Sequence, residues 1–351
     1  MSNHFDEIKE LLSDLTSAPT VSGHEARLSP VVEKIATRYF DEWKMLPSGS
    51  FVLTKRSGVP GATKILLDAH IDEVGMLVKE ILEDGFLSVV PVGGIDTRIL
   101  PASEVMIYGA REVYGVVSAT PPHLQNAEAR DTLPAISEIR IDTGFSKDEL
   151  AAIAPPGTPI CYRVNYMELL NGRLCGRSFD DKICAAVIIL SAVLAGEAGC
   201  KADIAVLLSS REEVGHIGAI TGAYAEDPDY AIVLDVGSAA GPDNTARHKS
   251  YIGKGPEISF SALTDIKFTK KLIAYAKERG IPVQPVAEAG STGTNANNIP
   301  LTRRGVKTAL ISIPLNNMHT AAEVIALSDA EAAAELVAGF LCRIGDEQKE
   351  A

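Results

Sequence analysis

Imidazoles and carboxylates stand at the ends of apolar runs in this sequence, and together they could do metal-assisted hydrolysis. The run Ala205-Val206-Leu207-Leu208-Ser209 leads, past Ser210 and Arg211, into the adjacent acids Glu212 and Glu213. Ile65-Leu66-Leu67-Asp68-Ala69 leads into His70-Ile71-Asp72, Tyr230-Ala231-Ile232-Val233-Leu234 into Asp235, and Ala309-Leu310-Ile311-Ser312-Ile313 is followed shortly by His319. His70, Asp180, Glu213, Asp235 and His319 are donor types that suit zinc or a neighbouring divalent ion. If one carboxylate bridges, two metals each receive three protein ligands and keep a position open for water. Two divalent cations against three carboxylates and one hydroxide leave such a centre near neutral. In an extended His70-Ile71-Asp72 segment, alternation puts His70 and Asp72 on one side, where Asp72 can accept the second ring N–H and fix the tautomer. Glu212 and Glu213 divide naturally into a ligand and a general base acting on metal-bound water. Singly, each residue has a blander reading: a hydrogen-bonded structural histidine, a loop acid, or, for Asp180-Asp181, a helix cap.

Such residues need a scaffold that collects strand ends. The runs just quoted are rich in Val, Leu and Ile without alternation, as in strands covered on both faces. In open α/β sheets, ligands bind outside the carboxyl ends of the strands, where these acids and histidines fall. Helical spacing of Phe5, Ile8, Leu11, Leu12 and Leu15 predicts a helix over Phe5 to Thr16, and a second follows from about Glu25 to Phe40. Trp43 is expected between that helix and the strand Phe51-Val52-Leu53. Further helices are expected over Ile183 to Leu194, from the Gly-Ala-rich start at Gly218, over Phe268 to Arg279, and over Asp329 to Ile344. From Met76 to Arg163 the texture changes to short β-type runs (Leu87–Val90, Val105–Tyr108, Val113–Val117) separated by Gly, Pro and Asp. The expected fold is therefore α/β: a three-layer α/β/α catalytic domain with a mixed central sheet, plus an inserted small all-β domain. Residues 1–75 and 164–351 would form the first, and 76–163 the second.

The 351 residues are 46% hydrophobic and 23% charged, as in an ordinary soluble globular protein. A net charge of −13 leaves no basic stripe for phosphates, which argues against a nucleic-acid partner. No apolar run approaches the roughly 20 residues of a membrane-spanning helix. The start carries neither a basic region nor an apolar core of signal-peptide type, so a cytoplasmic location is expected. The five cysteines (Cys161, Cys175, Cys184, Cys200, Cys342) are scattered and odd in number, which suits reduced thiols acting as packing residues.

Several motifs, in order and rough spacing, carry a resemblance. They are Ser22-Gly23-His24-Glu25, Ala69-His70-Ile71-Asp72-Glu73-Val74-Gly75, and Gly115-Val116-Val117 leading to Pro121-Pro122-His123. Later come Gly176-Arg177-Ser178-Phe179-Asp180-Asp181-Lys182, Glu212-Glu213-Val214-Gly215, Leu234-Asp235-Val236, and Met318-His319-Thr320 with Glu323 beyond. With these the chain resembles the M42 family of metal-dependent aminopeptidases, relatives of the TET peptidases and glutamyl aminopeptidases. The resemblance implies one metal held by His70, Asp180 and Asp235 and another by Asp180, Glu213 and His319, with Asp180 bridging and Asp181 the alternative bridge. It implies Glu212 as catalytic base, Asp72 as the residue orienting His70, and a cis peptide after the bridging acid. The implied reaction is removal of the N-terminal residue of short peptides by a metal-bound hydroxide. The cofactors would be two divalent ions, zinc foremost, with cobalt and manganese as alternatives. The implied assembly is a homo-oligomer built from dimers, up to a dodecamer, through the β insertion. One stretch departs from the family: Gly290-Ser291-Thr292-Gly293-Thr294-Asn295-Ala296 stands where Gly-Gly-Thr-Asp-Ala is common, and Asn295 replaces an acid. That bears on substrate preference and amine recognition more than on the metals. Arg247, Lys254, Arg303 and Arg304 would favour acidic side chains if they line the pocket.

Three rivals stand beside this reading. A related dinuclear carboxypeptidase or deacylase shares the architecture but does not require a free amine. A glycosidase on paired acids is disfavoured, because consecutive residues such as Glu212 and Glu213 diverge in a strand and cannot flank a sugar bond at the ~5–9 Å needed. A non-catalytic assembly protein of the same fold would bind no metal.

Overall fold

Alternate residues of the apolar runs face two different helical layers. The computed structural model describes residues 4–124, 132–163, 166–241 and 250–347. In chain order, helices α1 (Phe5–Thr16) and α2 (Ser29–Tyr39) precede strands β1 (Glu42–Met45), β2 (Phe51–Lys55) and β3 (Lys64–His70). The expected second helix is split: Glu25–Leu28 is a 3-10 turn, and the α-helix restarts at Ser29, where Pro30 occupies the first turn and has no N–H to lose. Trp43 lies on the edge strand β1, 36% exposed, with its ring 6.5 Å from that of Phe51, so it is not sandwiched as expected.

Strands β4 (Gly75–Ile81), β5 (Leu87–Val92), β6 (Glu104–Tyr108), β7 (Glu112–Val117), β8 (Arg140–Asp142) and β9 (Pro159–Tyr162) close into a small barrel. Its interior is a core of its own that includes Met76, Val78, Val89, Val105, Ile107, Val117, Ile141 and Ile160. A short α-helix, α3 (Lys147–Ile153), interrupts it, started by a capping box between Ser146 and Glu149. The expected boundary at residue 164 lies outside the described residues.

The α/β alternation then resumes. A three-stranded sheet joins β10 (Met167–Leu169), β11 (Arg173–Gly176) and the later β17 (Glu323–Ala326). Helix α4 (Phe179–Glu197) is followed by β12 (Asp203–Ser209), α5 (Ile217–Glu226), β13 (Tyr230–Ser238), β14 (Glu257–Phe260) and α6 (Ile266–Arg279). Strands β15 (Gln284–Ala287) and β16 (Lys307–Leu315) and helix α7 (Leu327–Asp346) complete the chain. The main sheet has eight strands in the order β1-β2-β12-β3-β13-β16-β14-β15. Its centre, β12-β3-β13-β16, is parallel; β2 and β14 run antiparallel to it, so the sheet is mixed. Ile65, Leu67, Val206, Leu208, Ile232 and Ile311 pack into the layer of α1, α2, α4, α6 and α7. Leu66, Leu207, Val233 and Leu310 face the opposite way, onto Ala219 and Ala223 of α5. Burying each such side chain contributes about 1.5–3 kcal/mol, which is why these strands are apolar on both faces. The architecture is the mixed α/β one expected, with a small closed sheet beside it. All five cysteines are free; three are buried and Cys175 and Cys342 are partly so. Among the described residues no helix is long and apolar enough to cross a membrane.

Candidate metal centre

The parallel strands β3, β12, β13 and β16 all deliver their carboxyl ends to one cavity of about 820 Å³. His70 is the last residue of β3, and Asp235 lies near the end of β13. Glu212 and Glu213 come three and four residues after β12 stops at Ser209, and His319 lies in the loop after β16. Asp180 enters from the first turn of α4, where Asp180 and Asp181 leave helical geometry and are joined by a cis peptide bond.

Distances sort these side chains into two groups that share Asp180. One carboxylate oxygen of Asp180 is 3.0 Å from His70 Nε2, and that nitrogen is 3.9 Å from Asp235 Oδ1. The other oxygen is 3.2 Å from His319 Nε2, which is also 3.2 Å from Glu213 Oε1. Each trio could offer its ligand atoms to one ion, all within 4.8 Å of one another. A further combination, His70 with Glu212 and Glu213, meets the same limit. Asp181 accepts from His70 N at 3.3 Å and does not line the cavity.

The electrostatics state what the centre lacks. Burial by itself lowers the pKa of His319, but its bonds to Asp180 and Glu213 outweigh that and lift it to about 11. His70 is likewise raised, against its burial, by Asp180 and Asp72. Burial raises Asp235 and Glu213, whereas the two imidazoles hold Asp180 below the usual carboxylate range. With protons as the only cations, the clustered acids hold both imidazoles toward their charged form. The same atoms, with the imidazoles neutral, are nitrogen and oxygen donors spaced as around a divalent ion, so the donor set fits two metals.

Supporting residues hold this geometry. Asp72 was expected to accept from His70, but the nearer acceptor for Nδ1 is the Asp72 carbonyl at 3.0 Å, with the carboxylate at 3.5 Å. The carboxylate instead accepts from the backbone N–H groups of Glu212 (2.9 Å) and Glu213 (3.3 Å) and from Ser22 Oγ (2.5 Å), so it pins the acidic turn. That turn also corrects the argument from strand alternation. Arg211 adopts φ +56°, the chain leaves the extended form, and Glu212 and Glu213 both line the cavity instead of diverging. Glu323 accepts from the N–H groups of Phe179, Asp180 and His319, tying the helix start to the last loop. Glu25 does the same for Gly23 and Arg211. From the barrel, Gly93 and Gly94 approach the centre: a Cβ on Gly94 would lie 2.9 Å from His319 Nδ1, and one on Gly93 would lie 3.3 Å from Glu213 Cβ.

Of the basic residues weighed for the pocket, Lys254, Arg303 and Arg304 do not line the cavity, and Arg247 lies outside the described residues. Arg303 instead stacks on Tyr224 at 4.2 Å. The lining adds two acids, Glu257 and Glu288, which no strand-end pattern marked. Asn295 is 1% exposed and sits behind the wall, bonded to Asp68, Ser209 and His216.

A match to the M42 glutamyl aminopeptidase family runs over residues 49–336, most of the chain. The chain belongs to that family. This M42 chain is thus an enzyme, a peptidase of aminopeptidase type. It is 32% identical to lysyl aminopeptidase of Pyrococcus furiosus over 338 residues, 95% of this chain and 96% of that one. Its fold matches the TET aminopeptidase of the marine sediment archaeon Thaumarchaeota archaeon SCGC AB-539-E09 with a TM-score of 0.90 at 28% identity, covering 96% of each chain. The TET1 peptidase of Pyrococcus horikoshii, which assembles into a tetrahedron or a large octahedral shell, gives a TM-score of 0.82 at 26% identity, covering 95% of this chain and 99% of that one.

Proposed function

We propose that this M42 peptidase is a dinuclear metallo-aminopeptidase that removes the N-terminal residue of short peptides, with a preference for cationic ones. His70, Asp180 and Asp235 would hold one divalent cation and Asp180, Glu213 and His319 the other. The observation that carries this is the position of Asp180, whose two oxygens each meet a different histidine at 3.0 and 3.2 Å. Bound divalent ions supply Lewis acidity to a scissile carbonyl and acidify water at the site. Zinc suits this mixed nitrogen and oxygen set, with cobalt and manganese as alternatives.

The chain's own part is proton handling and positioning. Glu212 takes a proton from the attacking water as its oxygen bonds to the carbonyl carbon. It returns that proton to the amide nitrogen as the C–N bond breaks, releasing the amino acid and a shortened peptide. Asp72, through the Glu212 and Glu213 N–H groups, holds the base and its neighbouring ligand in register. Glu257 and Glu288, bridged by Ser259 Oγ at 3.5 and 2.7 Å, give the cavity a negative wall suited to a lysine or arginine side chain. The Pyrococcus furiosus relative, named a lysyl aminopeptidase, supports the same preference.

A panel of amino-acid p-nitroanilides, with and without N-acetylation, tests this reading on metal-loaded protein. Lysyl and arginyl substrates should be cleaved best, acetylation should abolish cleavage, and Glu288→Gln should narrow the preference. Equal cleavage of acetylated substrates would favour a deacylase instead. Assembly from dimers through the barrel, in the cytoplasm, completes the proposal; light scattering reads the first, and a monomer at micromolar concentration would remove it.

A further inference from the structure

Behind Glu212 lies a chain of polar side chains that the reaction does not touch, partly buried at His216 and buried from Asn295 onward. His216 Nδ1 is 3.0 Å from Glu212 Oε1 and 3.2 Å from Asn295 Oδ1. Asn295 Nδ2 in turn reaches Asp68 Oδ2 and Ser209 Oγ, both at 2.9 Å. Asp68 is fully buried on β3 and Ser209 ends β12, so the far end of this chain is anchored in the central sheet.

Hydrogen-bond inventory decides the direction. Asn295 spends both amide hydrogens on Asp68 and Ser209, so its carbonyl is the edge left for His216. A carbonyl only accepts, so the ring nitrogen facing it must carry a proton. That same Nδ1–H lies within bonding distance of the Glu212 carboxylate, which can also only accept when ionised. The backbone repeats the link: Gly215 N and His216 N both donate to the Glu212 carbonyl, at 3.0 and 3.2 Å. His216 adopts φ +59°, a left-handed conformation that turns its ring back over the residue four positions earlier.

We propose that His216 is a positioning residue for Glu212, and that Asn295 sets which ring nitrogen of His216 bears the proton. With one carboxylate oxygen engaged, rotation about the Glu212 Cγ–Cδ bond is restricted, and the base keeps one orientation toward the cavity. At 295 an asparagine donates to Asp68 and Ser209 while its carbonyl accepts from His216, whereas an ionised aspartate would set a second carboxylate against Asp68. The inference rests on Glu212 being the base of the reaction proposed above.

The test compares His216→Leu, His216→Asn and Asn295→Ala in metal-loaded protein, with cation content and melting temperature measured for each. His216→Asn keeps an amide N–H where Nδ1 stood; His216→Leu fills the space without a donor. The leucine variant should lose kcat by about tenfold or more at unchanged KM, since a hydrogen bond to a charged group is removed. The asparagine variant should recover most of that loss, and Asn295→Ala should cost little more when added to His216→Leu than it does alone. Equal kcat in the leucine variant and the wild type, or an asparagine variant as slow as the leucine one, overturns the positioning role. An inactive wild type would instead remove the reading on which it rests.

Discussion

Two buried ionic clusters lie within a few residues of each other in this molecule, and they are balanced in opposite ways. Glu73 meets Arg177 and Lys182, both from the segment that opens α4, and all three side chains are buried. Burial by itself would raise Glu73, but the two cations outweigh it and hold its pKa at about 2. That cluster is complete: the chain brings its own positive charge. The neighbouring centre gathers Asp180, Glu212, Glu213 and Asp235, and among the described residues no lysine or arginine lines its cavity. On the proposed function, acids collected without a lysine or arginine of their own take their positive charge from bound cations. The same kind of residue is paired within the chain in one cluster and, on the proposed function, serves chemistry in the other; the counter-charge separates them.

The sharpest way to break this contrast is to remove the shared acid. Asp180→Ala should bring peptidase activity to the blank rate and cut the metal content from two ions per chain to one or none; two retained ions would show that the trios do not share it. Glu212→Gln comes next: turnover should fall by about 10²–10⁴-fold with both ions still bound, read by steady-state kinetics and elemental analysis. On the balanced side, Glu73→Gln should cost about 3–5 kcal/mol in urea unfolding, because two buried cations lose their partner, while metal content stays the same.

The same residue sharpens the contrast by pH. The folded pKa of Glu73 is depressed from 4.5 to about 2, so its contribution is full above pH 4.5 and is lost as pH falls toward 2. The stability difference between wild type and Glu73→Gln should therefore shrink by about 3 kcal/mol across that window. The smallest effect tests the barrel's part. Gly94→Ala would put a methyl group 2.9 Å from His319 Nδ1 and should weaken binding of one ion by about tenfold, leaving thermal stability near that of the wild type.

Much of this was legible in the residues. Unalternated Val and Leu runs gave the central strands, because burial on two faces leaves no room for polar positions. Spacing of Phe5, Ile8, Leu11, Leu12 and Leu15 gave α1 to the residue. Strand ends gave the candidate centre, since the parallel sheet collects carboxyl ends along one edge. What stayed hidden depended on bonds to backbone or on turns. Glu323 binds three N–H groups from two distant segments, and no pattern in its own strand announces that. The turn at Arg211 reverses the alternation that Glu212 and Glu213 would otherwise follow. His216 and Asn295 are 79 positions apart and meet only once α5 and the loop before β16 are packed. Asp68 did leave a trace, as the one charge inside Ile65-Leu66-Leu67-Asp68-Ala69.

Gly93 and Gly94 give the barrel a bare-backbone lip at the centre: a methyl group on Gly94 would press on His319, and one on Gly93 on Val74 and Glu213. A barrel grafted from another protein could differ over most of its outer surface and still close. It would need the same two residues at the same height, because a taller rim would tilt the imidazole away from its partners. Barrel exchange between distant relatives is thus constrained at this seam.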